Sequence, residues 1–216
     1  MQFPHLSLEH SVCKPLFERV SYPFEALPQI HSFILEFSKE EHSDYKEISP
    51  LVFVHKSVSI PSSVTMEGPA IIGEGTIFRP NAYIRSDAVI GKNCVIGNST
   101  EIKNSILFDN VQVPHFNYIG DSVLGYHVHF GAGALTSNFK QDGSLITLKD
   151  GEEKLETGLR KMGAIVGDFV EVGCHTVLNP GTLVGERSRL YPLLSVRGNV
   201  PKDIIMKEKN LFVPIK

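Results

Sequence analysis

The sequence of 216 residues predicts an all-β fold, a parallel β-helix built from three six-residue repeats per turn. Apolar residues recur at steps of six, and the position four residues after each is usually small or β-branched. A helix would need apolar residues about 3.6 apart and an alternating strand about 2, whereas six residues suit a short strand followed by a corner. The apolar positions are Val54, Ile60, Met66, Ile72, Phe78, Ile84, Ile90, Ile96, Ile102 and Phe108. The second positions are Val58, Val64, Ala70, Thr76, Ala82, Ala88, Cys94 and Thr100.

Glycines follow several of the apolar positions, as at Gly73, Gly91 and Gly97. At a corner, or where neighbouring coils approach closely, the chain tolerates no side chain. We therefore interpret these glycines as structural.

The composition describes one globular unit with 21 basic and 24 acidic residues. This balance argues against nucleic acid as a partner. No apolar stretch approaches the roughly 18 residues of a membrane span, and the N-terminus lacks a secretory pattern. The sequence thus predicts a cytoplasmic protein without a membrane partner. Its three cysteines, Cys13, Cys94 and Cys174, lack metal-ligand spacing and are expected to be reduced.

Residues 1–50 carry no hexads, but Leu27, Ile30, Ile34 and Leu35 keep helical spacing after Phe24. We expect one amphipathic helix from residue 24 to 42. Because a solenoid needs its first open coil covered, residues 1–50 are interpreted as a helical end cap, with a partner-binding helix as the alternative. The β-helix is expected over 51–200 and a C-terminal tail over 201–216.

The period slips at Pro114, after which the apolar positions become Tyr118, Leu124, Phe130 and Thr136. The segment VPHFNY is therefore expected to add an irregular turn. Residues 137–163 leave the repeat as a long extruded loop with five basic and five acidic residues. Such loops are often functional, and both phosphate binding and a solvated charged face stay open for this one. The repeat then resumes at Val166.

Three runs of the sequence resemble known enzymes: GNSTEIKNSILFDNVQVPHFNYIGDSVLG, GAGALTSNFKQDG and GAIVGDFVEVGCHTVLNPGTLVG. They are similar to the acetyltransferase domain of the bifunctional enzyme that makes UDP-N-acetylglucosamine. They are also similar to the C-terminal domains of archaeal sugar-1-phosphate nucleotidylyltransferases. The resemblance covers roughly residues 70–200 and implies a left-handed β-helix of the hexapeptide-repeat acyltransferases, a homotrimer, and acetyl-CoA as co-substrate.

In this family an amine attacks the thioester of acetyl-CoA, which requires a base, an oxyanion donor and cations for a sugar phosphate. His115 occupies the family's histidine position in the P-H-x-x-Y pattern, and a neutral imidazole can take up a proton near neutral pH. The resemblance therefore implies that His115 is the catalytic base. A histidine exposed at a corner is the structural alternative.

The resemblance also implies residues for the substrate and the cofactor. Arg85 and Lys103 match positions that bind the sugar phosphate, and Tyr118 matches one that contacts the sugar. Asn138 matches a position near the amine. For acetyl-CoA, the matching positions are Ala132 and Cys174.

Two departures from the family pattern bear on the substrate. Ser144 stands where the bacterial enzyme has a lysine, and the loop lysines of the archaeal relatives are not matched at Ser144 or Thr147. Lys140 or Lys149 could compensate from the loop, but the sequence places neither of them near a phosphate. No Gly-rich nucleotide-binding segment precedes the coils, so uridylyl transfer is not expected.

The resemblance thus implies an acetyl-CoA-dependent N-acetyltransferase for an amino-sugar phosphate or a nucleotide-linked amino sugar, with no metal required. Two alternatives stay open: a non-catalytic sugar-nucleotide-binding or scaffold protein, and an acyltransferase that uses a different acyl-CoA. A metal-dependent hydratase would need three zinc-binding histidines on neighbouring coils. His127 and His129, two residues apart on one strand, do not supply that pattern.

Overall fold

Three sheets form the faces of a β-helix in the computed structural model, which describes residues 1–208 and 211–215. The predicted fold class, a left-handed parallel β-helix of hexapeptide repeats, is confirmed. The first sheet contains, in spatial order, Tyr45–Ser49, Val52–His55, Ala70–Ile72, Ala88–Ile90, Ser105–Leu107, Val123–Leu124, Ala164–Val166, Thr182–Val184 and Asn199–Val200. The second contains Ile77–Phe78, Val95–Asn98, Gln112–His115, His129–Phe130, Glu171–Val172, Arg189–Leu190, Ile204–Glu208 and Leu211–Pro214. The third contains Thr65–Met66, Tyr83–Ile84, Glu101–Lys103, Tyr118–Gly120, Leu135–Thr136, Val177–Leu178 and Ser195–Val196.

Most corners of the β-helix carry one residue in the left-handed backbone region. Asn81, Asp87 and Asn93 follow one another at steps of six with φ of 61°, 61° and 52°. Asparagine and aspartate adopt this conformation more readily than other side chains do, because they hydrogen-bond locally. These polar corner residues mark the turns between the sheets.

The glycines beside the apolar positions lie where neighbouring coils touch. Such a close approach is, beside a corner, one of the two reasons for a glycine expected from the sequence. A Cβ atom on Gly97 would lie 1.6 Å from the carbonyl oxygen of Pro114. On Gly73 it would lie 2.5 Å from the carbonyl carbon of Gly91. Both distances are far below van der Waals contact, so only glycine lets the coils stack here.

The expected register is wrong at Phe108 and Tyr118 and is correct again from Leu124 onward. Leu107, not Phe108, joins the inner core, and Ile119, not Tyr118, does so two strands later. The cause is a pair of corners that are one residue shorter than the spacing of six requires, at Asn104 and at Asp121. Register partners in the first sheet are accordingly 18 residues apart below the first short corner and 17 above it.

The segment VPHFNY therefore adds no irregular turn. Gln112–His115 runs in parallel register with Val95–Asn98. Phe108 points outward and packs edge-on against Phe17, with ring centroids 5.5 Å apart.

The N-terminal region forms several short helices rather than one long helix. Pro28 lies inside a 3₁₀ helix that ends at Gln29, and the α-helix begins only after it, because proline lacks the N–H that an α-helix needs and restricts the residue before it. His42 Nε2 hydrogen-bonds the carbonyl oxygen of Phe37, at 2.9 Å, just after the last helix. The 3₁₀ helices are Leu8–His10 and Pro23–Gln29, and the α-helices are Lys14–Phe17 and Ile30–Phe37. None of the helices within the described residues is long and apolar enough to cross a membrane.

These helices lie along the side of the β-helix, so the interpretation as an end cap is wrong. Buried Leu27, Ile30 and Ile34 belong to an outer apolar layer with the outward residues of the first sheet. That sheet face is apolar on every middle coil and needs lateral cover. The outward residues are Ile71, Val89, Ile106, Val123, Ile165 and Leu183.

The segment expected as an extruded loop folds back as an antiparallel hairpin, Thr147–Asp150 with Glu153–Glu156. Ile146 and Leu148 at its start are fully buried in the same outer layer. Part of the expected tail continues the second sheet as Ile204–Glu208. Residues 209, 210 and 216 of that tail lie outside the described residues. The domain bounds 1–50, 51–200 and 201–216 stay predictions.

Candidate functional site

Four of the sequence-predicted residues meet at one recess of about 390 Å³ on the outer side of the third sheet. Two further residues line it that the sequence analysis did not propose: an aromatic residue that begins the hairpin segment and a lysine that ends it. The lining residues are Arg85, Lys103, Tyr118, Asn138, Phe139 and Lys161.

Parallel register and the shortened corners bring these residues together. Tyr118 points outward from the third sheet, on the coil above Glu101–Lys103. The main-chain N–H of Asp121 donates to the carbonyl oxygen of Lys103, at 2.9 Å. Thr136 ends the next strand, and the hairpin segment leaves the β-helix directly after it. The recess therefore lies where two short corners and the base of the hairpin meet.

Two of the cations in the recess are paired with carboxylates. Arg85 Nη1 lies 2.8 Å from Glu101 Oε1, and this hydrogen bond raises the pKa of Arg85. Lys103 Nζ lies 3.3 Å from Asp121 Oδ2. Both cations are partly exposed, so a bound anion can reach them without breaking into the core.

A buried hydrogen-bond network lies behind the recess. Asn138 Nδ2 donates to Asp121 Oδ2 and, at 3.1 Å, to Tyr118 Oη. Asn104 Nδ2 donates to the other carboxylate oxygen of Asp121 at 2.8 Å. Burial and then the charge of Asp121 raise the pKa of Tyr118, so its hydroxyl keeps its hydrogen at neutral pH.

Lys161 reaches the recess because the end of the hairpin segment is fastened beside Asn138. The main-chain N–H of Met162 donates to the carbonyl oxygen of Asn138 at 2.9 Å, and that of Gly163 to Asp121 at 2.8 Å. The sequence feature that could have pointed to Lys161 is the return of the repeat at Ala164–Val166. Residues just before that strand must come back to the corner that the segment left.

The lysines expected to compensate for Ser144 lie elsewhere. Lys140 Nζ donates to the carbonyl oxygen of Leu145 at 2.6 Å and so folds back onto its own loop. Lys149 is exposed on the hairpin strand Thr147–Asp150. Neither residue lines the recess, so neither compensates for Ser144 there.

The other three predicted residues, His115, Ala132 and Cys174, form a second group at the corner between the second and third sheets. The N–H of Gly133 donates to the carbonyl oxygen of His115 at 3.0 Å, and the N–H of His175 to that of Ala132 at 2.9 Å. These hydrogen bonds stack the three residues on successive coils. None of the three lines the recess. His115 is only three residues from Tyr118, a distance of at most roughly 10 Å along the chain.

The side chains of His115 and Cys174 are exposed at this corner. The neighbouring Phe116 is 63% exposed and has a φ of 51°, a conformation that costs a bulky residue free energy. Within residues 1–208 and 211–215 the His115 imidazole has no hydrogen-bond partner. The second group therefore lies on an open surface outside the recess.

The remaining histidines considered from the sequence have structural contacts. His129 Nδ1 lies 2.8 Å from Glu171 Oε2, and the ring of His127 stacks on Phe169 with centroids 5.6 Å apart. In the part of the chain that the structure describes, no three His, Cys, Asp or Glu side chains are grouped as metal ligands would be.

The hexapeptide β-helix, with a cationic recess at the base of a hairpin, defines the class of protein. The model of the family described as the GMPPB C-terminal domain matches residues 66–210, and the chain belongs to this family. The resemblance to hexapeptide-repeat acyltransferase domains is confirmed.

Individual relatives agree with this assignment. A bifunctional sugar-1-phosphate nucleotidylyltransferase/acetyltransferase of Sulfurisphaera tokodaii is 34% identical over 64% of this chain and 38% of its own length. A bifunctional protein GlmU of Methanococcus vannielii is 38% identical over 78% of this chain and 42% of its own length. The chain thus spans less than half the length of these relatives.

Among solved structures, the acetyltransferase domain of PglB from Neisseria gonorrhoeae, in complex with acetyl coenzyme A, has a TM-score of 0.30 and 10% sequence identity. The superposition covers 74% of this chain and 56% of that one. A likeness at this level carries no conclusion about function.

Proposed function

We propose that the protein is an acetyl-CoA-dependent N-acetyltransferase whose acceptor is an amino-sugar phosphate or a nucleotide-linked amino sugar. The observation that carries the proposal is the lining of the recess by Arg85, Lys103 and Lys161 together with Tyr118 and Asn138. Cations that converge on one cavity suit a phosphate, and a phenol and an amide suit sugar hydroxyls and an amine. Acetyltransferase is also part of the name of one relative.

The proposed reaction is a direct transfer. The amine nitrogen of the acceptor attacks the thioester carbonyl of acetyl-CoA, the C–S bond breaks, and CoA leaves with the electron pair of that bond. His115 takes the proton that the amine loses. Ala132 and Cys174, stacked above His115 at the same corner, would lie against the acetyl thioester. No metal takes part in this scheme.

His115 does not line the recess of its own chain, and the proposed site is therefore made by two copies of the chain, in a homotrimer. The first sheet is covered by the helices and the hairpin, which leaves the second and third sheets and their shared corner for contact. At that corner Phe116 and Leu193 are 63% and 79% exposed. Exposed apolar side chains of this size suit burial against another copy. His115 of one subunit would then face the recess of the next.

The test of this proposal is release of CoA from acetyl-CoA with glucosamine-1-phosphate and with UDP- and dTDP-linked amino sugars. We expect turnover with one of these acceptors and its loss in His115→Ala. His129→Ala is the matched control, because its imidazole is also half exposed but is paired with Glu171. Absence of turnover with every amine, in a folded protein, would contradict the proposal.

The same assay separates two alternatives. Turnover that appears only with long-chain acyl-CoA would identify a different acyl donor. Tight binding of an acceptor without any transfer would identify a sugar-nucleotide-binding or scaffold protein. The exposed imidazole of His115, which has no hydrogen-bond partner among the described residues, is the feature that keeps this second candidate open.

A further inference from the structure

Asp121 is a buried acid that the proposed reaction has not used. Its side chain is 5% exposed, yet it lies directly behind the recess at one of the two shortened corners. A carboxylate in such a place needs hydrogen bonds to offset the loss of hydration. Lys103, Asn104 and Asn138 supply them, and these residues come from the coil below and the coil above.

The acidic partner determines how the amide of Asn138 is turned. Asp121 accepts hydrogen bonds from three donors, and an ionised carboxylate accepts only. The NH₂ group of Asn138 must therefore face Asp121, because only that end of the amide can donate. Its second hydrogen goes to Tyr118 Oη, at 3.1 Å. Both N–H groups are thus used inside the protein, and Oδ1 is the atom of the amide left for a ligand.

The same contacts also determine the polarity of Tyr118. Because Oη accepts a hydrogen bond from Asn138, the phenolic hydrogen is free to be donated toward the recess. The recess then presents one acceptor, Asn138 Oδ1, beside one donor, the Tyr118 hydroxyl.

We propose that Asp121 is a positioning residue that sets this polarity, so that Asn138 Oδ1 accepts a hydrogen bond from the acceptor amine and Tyr118 donates to an oxygen of the sugar. The inference rests on the proposed function and deepens it. Asp121 does not touch the substrate. It acts through Asn138 and Tyr118. It also keeps the Asn138 amide from turning over, because the turned amide would present its NH₂ group to the acceptor amine beside the Tyr118 hydroxyl, which is already a donor.

The test compares Asp121→Asn with Asp87→Asn. Both aspartates are corner residues with positive φ, of 47° and 61°, and asparagine tolerates that conformation. In Asp121→Asn the neighbouring amides can turn, so we expect the KM for the amino sugar to rise about tenfold while the KM for acetyl-CoA stays unchanged. Asp87→Asn, whose side chain contacts His31 instead, is expected to keep both values.

A second measurement does not depend on activity. In ¹H–¹⁵N spectra the side-chain NH₂ signals of Asn138, assigned from their loss in Asn138→Ser, should move upfield in Asp121→Asn but not in Asp87→Asn. If the signals move and no acetyl transfer is found, the positioning stands and the proposed function fails. If transfer is found but the two variants behave alike in both measurements, the proposal for Asp121 is overturned.

Discussion

At the scale of single residues, the cations of the recess are not equivalent. Arg85 and Lys103 each have a carboxylate partner, whereas Lys161 has no ion-pair partner among the described residues. An unpaired cation at the mouth of a cavity gives up less on binding an anion, because no existing pair has to be broken. Lys161 is therefore the residue whose charge is most directly available to an acceptor phosphate.

Replacing Lys161 by alanine is expected to raise the KM for glucosamine-1-phosphate about tenfold, because one charge-assisted contact to the phosphate is lost. The KM for glucosamine, which has no phosphate, should not change. Lys154→Ala is the matched control, since Lys154 is exposed on the hairpin and does not line the recess. Equal effects on the two acceptors would show that Lys161 does not meet the phosphate.

At the scale of elements, the hairpin matters through its attachment. Its first strand buries Leu148 completely against the outer layer, and its last residues return to the recess. The same segment lies next to the N-terminal residues, where the N–H of Gln2 donates to Asp150 Oδ2 at 3.1 Å. Packing of the hairpin on the side of the β-helix therefore helps to hold Lys161 in place.

Truncation of Leu148 to alanine is expected to lower the free energy of unfolding by about 2–4 kcal/mol, through lost burial and the cavity left behind. Leu145→Ala removes the same atoms from a side chain that is 52% exposed and should have almost no effect. Urea denaturation measures both. Similar losses in the two variants would mean that the hairpin is not docked as described.

The N-terminal segment is attached by a second contact that depends on pH. Burial alone would raise the pKa of Glu186, but N–H donors, including that of His5 at 3.2 Å, and the charges of Lys202 and Arg187 outweigh it. They hold the pKa below its ordinary value of 4.5. A depressed pKa stabilises the folded state above the ordinary value, and this contribution is lost as the pH falls through the lower, folded value.

Glu186→Gln should therefore lower the free energy of unfolding at neutral pH and reduce its dependence on pH in the acid range below 4.5. Urea denaturation from neutral pH to about pH 3 measures the slope. An identical slope in the native protein and in Glu186→Gln would contradict this account of the contact.

At the scale of the whole molecule, much of the fold could be predicted because the period of six is a local pattern. Ile84, Ile90 and Ile96 all lie inward as expected. The register between Ile102 and Leu124 could not be predicted, because a short corner places Leu107 inward, whereas the period of six continues to Phe108.

The site divides in the same way. The four predicted residues of the recess lie on consecutive coils, so the repeat brings them together once the family pattern has picked them out. Lys161 reaches the recess because the chain folds back after the hairpin, and the period of six does not extend to this residue. The helices could not be placed, because helical spacing shows which face is apolar but not which surface that face covers.

In the proposed trimer, the recess of one subunit meets the corner of the next subunit that carries His115. If each active site takes His115 from one subunit and the cations from the next, His115→Ala and Lys103→Ala each damage every site in their own trimer. In a mixture, a site formed from the intact halves of two different subunits is whole. With equal amounts and random assembly, each of the two subunits at a site has a chance of about one half of supplying an intact half-site. About one quarter of the sites are therefore restored.

The most direct test is therefore the rate of CoA release after His115→Ala and Lys103→Ala are unfolded together and refolded as a mixture. With the acceptor well below its KM, we expect at most about a tenth of native activity from either variant alone and about a quarter from the mixture. A mixture as inactive as its components, although both variants fold and assemble like the native protein, would contradict a site shared between subunits.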